Sequence, residues 1–234
     1  MYETPGFYNA DCMEAMKKFP DKFFSIAIVD PPYGIGADGF SNGNGRKNKG
    51  ESTSVKVKNR LNQGSGKLKD RLLNQSDCSW DSKPPTQEYF DELFRVSENQ
   101  IIWGGNYFHL PPTRGIVVWD KVQPWENFSQ VELAWTSFDK PAALFKFMNS
   151  GATKEQKIHP CQKPVELYTW LLNRYATPEM KILDTHVGSG SSLIACHRGG
   201  YNEVWGFEIN EGYYNLAKER LDKEKSQVTI FELI

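Results

Sequence analysis

Asp30-Pro31-Pro32-Tyr33 places a carboxylate, two imino rings and a phenol in four consecutive positions, directly after the apolar run from Ile26 to Val29. Neither proline has an N–H to donate, so the pair ends a strand at once and holds the preceding Asp30 in an extended conformation. This arrangement suits one kind of chemistry. The exocyclic amine of a nucleobase is a poor nucleophile because its lone pair is delocalised into the ring. Two fixed acceptors, one for each N–H, free that lone pair. The Asp30 carboxylate can take one N–H and the Pro31 carbonyl the other, while Pro32 removes a donor that would compete. Tyr33 can stack on the face of an extruded base. Acceptors held rigid before reaction amount to electrostatic preorganisation, and fixed alignment supplies an orientation term.

A second constellation lies far along the chain. Asp184-Thr185-His186-Val187-Gly188-Ser189-Gly190-Ser191-Ser192 reads as a strand end, a Gly-rich turn and a helix start. Glycines there let a ligand approach the backbone. Such a turn alone also serves dinucleotides and phosphates, and the missing Lys argues against a phosphate-cradling loop. Glu208 narrows the choice. It closes the next strand, 18 residues after Gly190, where a carboxylate can accept both hydroxyls of a ribose. With Asp11 and Asp30 it points to a nucleoside-containing cofactor.

The elements that must position these groups follow from periodicity and turn chemistry. "GFYNAD" reads as a short strand ending at Asp11, and "CMEAMKKFP" as a short amphipathic helix. "PTQEYFDELFRVS" reads as a helix with Thr86 at its N-cap, and "NQIIWGG" as a buried strand. "GIVVWDK" and "QVELAWTSF" form a strand pair, expected as an antiparallel hairpin. "KPVELYTWLLNRYA" is a helix with Pro164 in its first turn. "MKILD", "SLIACHRGG", "EVWGFEIN" and "EGYYNLAKERLDKEK" then alternate strand and helix, and "VTIFELI" is a last strand candidate. The alternation predicts an α/β fold with a doubly wound, Rossmann-like, mostly parallel sheet, whose ligands sit outside the carboxyl ends of the strands. Asp11, Asp30, Asp184 and Glu208 each fall at such an end.

The totals agree with one catalytic domain over residues 1–234. No apolar run reaches the roughly 20 residues a membrane helix needs. The N-terminus shows no signal-peptide pattern, so a cytoplasmic protein without a membrane partner is expected. Cys12, Cys78, Cys161 and Cys196 are widely spaced, and no His pairs with one at ligand spacing, so neither a disulfide framework nor a metal site is expected. The net charge is −1, yet between Asn44 and Arg71 nine basic residues meet two acidic ones, a local balance of +7. Residues 37–81, rich in Gly, Ser, Asn and Lys, read as a mobile basic loop inserted directly after Tyr33.

Three stretches carry a family resemblance. "DPPY" (Asp30 to Tyr33), "DTHVGSGSS" (Asp184 to Ser192) and "HPCQKP" (His159 to Pro164) resemble motifs of the amino-group DNA methyltransferases, which modify adenine N6 or cytosine N4 with S-adenosylmethionine. The catalytic motif precedes the cofactor motif, which is the order of the subgroup called β and implies a circularly permuted sheet. The resemblance implies direct methyl transfer to a flipped base, with Asp30, Pro31, Pro32 and Tyr33 holding the base. It implies cofactor contacts from Asp11 and Cys12 to the adenine, from Glu208 and Ile209 around the ribose, and from Asp184, His186, Gly188, Gly190, Ser191 and Ser192 along the turn. His159, Lys163 and Pro164 are expected near the carboxylate end of the cofactor. Thr185 and His186 depart from the family's usual Pro-Phe. The recognition segment before "HPCQKP" is short: "FDKPAALFKFMNSGATKEQK" is what the chain offers.

Adenine is favoured over cytosine because the cytosine branch more often has Ser at the place of Asp30. A non-catalytic nucleic-acid-binding module of the same fold is the rival from another class, and equilibrium binding of S-adenosylmethionine discriminates. DNA is the expected partner. A cognate restriction nuclease, and a monomer or a homodimer, stay open. DNA contact is expected from Arg46, Lys47, Lys49, Lys56, Lys58 and Arg60, since phosphate contacts are cationic and salt-sensitive. Neutralising Lys56, Lys58 and Arg60 together should weaken DNA binding across all sequences and flatten its salt dependence. An unchanged affinity and salt slope in a filter-binding titration would remove this segment from the interface.

Overall fold

The computed structural model describes residues 2–35, 81, 83–123, 129–148, 158–159 and 161–227. The six cations expected to meet DNA, the rest of the 37–81 loop except Asp81, and the last strand candidate at 228–234 lie outside the described residues.

Among the described residues, eight strands form one sheet: β1 (Gly6–Asn9), β2 (Phe24–Val29), β3 (Ser97–Trp103), β4 (Ile116–Asp120), β5 (Val131–Thr136), β6 (Ala143–Lys146), β7 (Ile182–Asp184) and β8 (Val204–Glu208). Their order is β1-β8-β7-β2-β3-β5-β4-β6. All neighbours are parallel except β5, which runs antiparallel to both β3 and β4. The expected mostly parallel sheet with an antiparallel hairpin is therefore present. Among the described residues, α1 (Cys12–Met16), α2 (Gln87–Val96), α3 (Val165–Tyr175) and α4 (Ser191–Arg198) lie between strands, and α5 (Glu211–Lys225) follows β8.

Why the central strands read as unbroken apolar runs is visible at β2. Phe24, Ala27 and Val29 pack with α1 and α2 around Met16, Phe90 and Leu93. Ile26 and Ile28 face the other side, against α3, α4 and α5 through Leu167, Leu171, Leu193 and Ala217. A parallel strand covered on both faces has no solvent side and so no polar alternation. Thr86 stands at the N-cap of α2 as expected, but its side chain makes no capping bond. Pro164 sits one residue earlier than expected, as the N-cap of α3 with φ −64°, where its missing N–H costs nothing. One strand was not anticipated. Part of the stretch read as recognition segment is β6, which pairs with β4, because Phe145 packs beside Trp170 of α3 at 5.4 Å between ring centroids. No helix among the described residues is long and apolar enough to cross a membrane.

Candidate active site

The strand order reverses between β7 and β2. From β7 the chain passes over α4 to β8 on one side, and from β2 over α2 to β3 on the other. Such a reversal opens a crevice at the carboxyl ends of the two strands. Asp184 ends β7 and Asp30 follows β2, with Ala27 opposite Leu183 in the register between them. Two carboxylates separated by more than 150 residues in the chain (30 and 184) thus flank one crevice.

On the β2 side, Asp30 belongs to a closed ring of polar contacts. The Tyr33 hydroxyl donates to Asp30 Oδ1 at 2.7 Å. Lys163 Nζ lies 2.5 Å from Asp30 Oδ2 and donates to the Tyr33 hydroxyl at 3.2 Å. Lys163 is 4% exposed, and it also meets Glu132 Oε2 at 3.2 Å. Glu132 in turn pairs with Lys121 at 2.5 Å through Oε1. Burial pushes the Asp30 carboxyl above its ordinary value, against the pull of Lys163. Burial also acts to raise Glu132, but Lys163 and Lys121 outweigh it and the group ends below its ordinary value. Asp30 retains 17% of its side-chain surface, so a ligand can still reach it.

Tyr33 is positioned from both ends of the neighbouring loops. Its ring stacks on Tyr107 at 5.1 Å and 17° and meets Phe108 edge-on. Gly104 lies under it with φ +71°, and a Cβ there would come within 2.3 Å of the ring. Asp81, the one described residue of the basic loop, accepts from the Gly34 N–H at 2.8 Å, which holds Asp81 beside the tetrapeptide.

On the β7 side, carboxylates organise the Gly-rich turn. Asp184 Oδ1 accepts from the His186 N–H at 3.0 Å, and Oδ2 accepts a short hydrogen bond from the Ser192 hydroxyl. Burial raises the Asp184 carboxyl to about 7. Glu208 is 9% exposed. Its Oε2 accepts from the Gly188 N–H and its Oε1 from the Asn210 N–H, each at 2.9 Å. Gly188 and Gly190 both adopt left-handed backbone, with φ +54° and +79°, a region that penalises any Cβ. Arg220 of α5 donates to the Ser189 carbonyl and the Ser191 hydroxyl, which pins the turn from behind. His186 bonds Thr185 through Nδ1 and lies edge-on to Tyr89 of α2. His159 accepts from the Cys161 N–H and packs edge-on against Tyr213. Burial lowers both imidazoles to about 4, so they are neutral near pH 7.

The remaining expected residues are spread around this crevice. Asp11 caps α1 by accepting from the Met13 N–H at 2.7 Å, and Cys12 beside it is pushed up to about 12 by burial and by Asp11. Ile209 follows Glu208 and is 66% exposed. β1 pairs with β8 so that Asn9 lies opposite Glu208, which brings Asp11 to the Glu208 side. The Lys163 ammonium meets Asp30 and Glu132, and Pro164 is the N-cap of α3.

The comparisons with known proteins bear on this geometry. A family model described as "DNA methylase", for the N6 and N4 class, matches residues 117–219. That span holds Lys163, the Gly-rich turn and Glu208 but not the tetrapeptide. The type II methyltransferase M2.DpnII of Streptococcus pneumoniae is 23% identical over 256 aligned positions, covering 92% of this chain and 89% of that protein. M.HpaI of Haemophilus parainfluenzae is 38% identical over 85 residues, 36% of this chain and 27% of that protein. Over residues 117–219 the chain is thus similar to the amino-group DNA methyltransferases. Among solved structures, the cytosine-N4-specific PvuII DNA methyltransferase superposes with a TM-score of 0.57 at 13% identity, over 95% of this chain and 90% of that one. The M1.HpyAVI complex with S-adenosylmethionine does so at 0.53 and 17% identity, over 92% and 98%. These two establish the likeness of fold.

Sequence reasoning missed Glu132, Lys121, Gly104, Tyr107 and Asp81. Glu132 left one trace: a carboxylate inside the apolar strand "QVELAW" needs a buried partner. Nothing local says that the partner is Lys163.

Proposed function

We propose that this chain transfers a methyl group from S-adenosylmethionine to the exocyclic N6 amine of an adenine extruded from DNA. The carrying observation is that the rigid acceptor Asp30 and the Gly188–Gly190 turn flank the same crevice from adjacent strands.

The residues present fit the cofactor. A Cβ built on Gly188 would meet nothing closer than the His159 ring at 3.7 Å, so the turn leaves an open cradle. Glu208 offers the unused lone pairs of two carboxylate oxygens to ribose hydroxyls. The exposed Ile209 side chain gives a flat heterocycle an apolar face, and Asp11 stands on the same side. Bound there, S-adenosylmethionine supplies an electrophilic methyl group on a sulfonium. The chain's own part is alignment and charge. Asp30 Oδ and the Pro31 carbonyl accept the two amine N–H groups, Tyr33 stacks on the base with Tyr107 behind it, and the Asp30 charge opposes the positive charge that develops on the amine nitrogen as the N–C bond forms and the S–C bond breaks. The surplus amine proton passes to solvent. The basic residues of the 37–81 loop hold the phosphates.

Cytosine N4 is the second reading, favoured by the likeness of fold to a cytosine-N4-specific enzyme; the same acceptors meet the same NH2 group. The test is incubation of the purified protein with labelled cofactor and unmethylated genomic DNA, followed by digestion and mass spectrometry of the nucleosides. N6-methyladenine is the expected product. N4-methylcytosine instead would transfer the proposal to the second reading, and no methylated nucleoside would overturn both.

A further inference from the structure

The ionic chain behind Asp30 is longer than base binding requires. Lys121, Glu132, Lys163 and Asp30 alternate in sign, with separations of 2.5, 3.2 and 2.5 Å. An ammonium has three N–H groups, and three oxygens surround that of Lys163, from Asp30, Tyr33 and Glu132. Glu132 Oε2 faces it without hydrogen-bond alignment, so this link acts by charge. If Asp30 alone neutralised the buried lysine, its carboxylate would be a weak acceptor for a neutral amine and a poor counter-charge for the reacting nitrogen. A second carboxylate on the same ammonium shares its positive charge, so less of that charge is drawn onto Asp30.

We propose that Glu132 is a positioning residue for Asp30: acting through Lys163, it shares the ammonium's charge so that Asp30 stays available to the target amine. The proposal deepens the methyl-transfer reading and rests on it. Lys121, at the far end of the chain, neutralises the other oxygen of Glu132 and keeps that carboxylate ionised in its half-buried place.

The groups that face Asp30 allow a pH test. Lys163 and Tyr33 are its direct partners. Through space it also feels Glu132 from β5, Asp184 from β7, Tyr89 from α2, Tyr168 from α3 and Cys161. The three tyrosines are raised and Cys161 is pushed up to about 12, so none of them titrates between pH 4 and 8. Asp184, raised to about 7, does. Glu132 is a negative neighbour that raises the Asp30 carboxyl. Removing it should move the Asp30 titration, and the acid limb of kcat that depends on ionised Asp30, to lower pH, while an Asp184 step stays in place.

The experiment is Glu132→Gln, Lys163→Met and the double variant. Each is measured for kcat, for KM of S-adenosylmethionine, and for the Asp30 carboxyl titration by carbon NMR in the free protein. Glu132→Gln is expected to lower kcat by about tenfold to a hundredfold, with an unchanged KM for the cofactor and a downward shift of the Asp30 titration. In the Lys163→Met background the same change should cost less than about threefold. An unmoved Asp30 titration, an undiminished kcat, or the same fold loss in both backgrounds would overturn the role. The titration needs no turnover, so it separates failure of this link from failure of the function: a parent protein that methylates no DNA defeats the methyl-transfer reading and takes this inference with it.

Discussion

Replacing Asp30 by alanine should reduce methylation by on the order of 10²–10³-fold or more while leaving cofactor affinity within several-fold. The size follows from removing a preorganised acceptor aimed at charge that develops only during reaction. The separation of effects follows from position: Asp30 lies at the end of β2 with Tyr33 and Lys163, whereas Glu208 and the glycine turn lie across the crevice on β8 and β7. Lys163 keeps Glu132 as counter-ion at 3.2 Å, so the variant does not strand a buried cation, the situation that commonly unfolds such sites. Single-turnover rates with saturating cofactor, paired with calorimetric titration, decide the matter. A near-normal rate would remove Asp30 from the chemistry, and a collapse of cofactor binding would show that its role is structural. Tyr33→Ala should follow the same split with a smaller loss, since base stacking is worth about 1–3 kcal/mol.

Glu208→Ala should weaken S-adenosylmethionine roughly tenfold to a hundredfold, from the loss of hydrogen bonds to a charged group at about 1.5–3 kcal/mol. The structure adds a second contribution in the same direction. Glu208 holds both the Gly188 and the Asn210 N–H at 2.9 Å, so the alanine variant also releases the turn on which the cofactor would lie. Burial raises the Glu208 carboxyl above its ordinary value. The ionised form is the one that accepts, so affinity should decline on acidification, beginning above the ordinary glutamate range. Calorimetry across pH checks both statements: an unchanged dissociation constant for Glu208→Ala would sink the ribose assignment. Asp11→Ala should weaken the cofactor as well, which a dehydrogenase-type reading of the glycine turn does not anticipate.

The sequence by itself determined the order of elements apart from β6, and the strand-end placement of Asp30, Asp184 and Glu208. Those signals are local. A buried parallel strand is an apolar run, two prolines stop one within a residue, and paired glycines mark a turn that opens a helix. Each can be read within about ten residues, and together with "HPCQKP" they were enough to suggest the family. Only the tertiary structure decided what those residues touch. That β7 comes to lie beside β2, reversing the strand order at the crevice, is a property of the whole sheet. The ammonium of Lys163 reaches the Tyr33 hydroxyl across 130 positions of chain, and Glu132 completes the set from an antiparallel strand whose register pairs Trp119 with Glu132. The sequence did not show the Lys163 contacts to Asp30 and Glu132, because a motif specifies a residue and its neighbours, not the direction of a long side chain. Once the ammonium is buried, the nearest anions decide where it points, because a charge removed from water must be met by opposite charge or cost several kcal/mol. The same reason explains Glu132 and Lys121, which carry no motif at all: their partners exist only after the strands have paired.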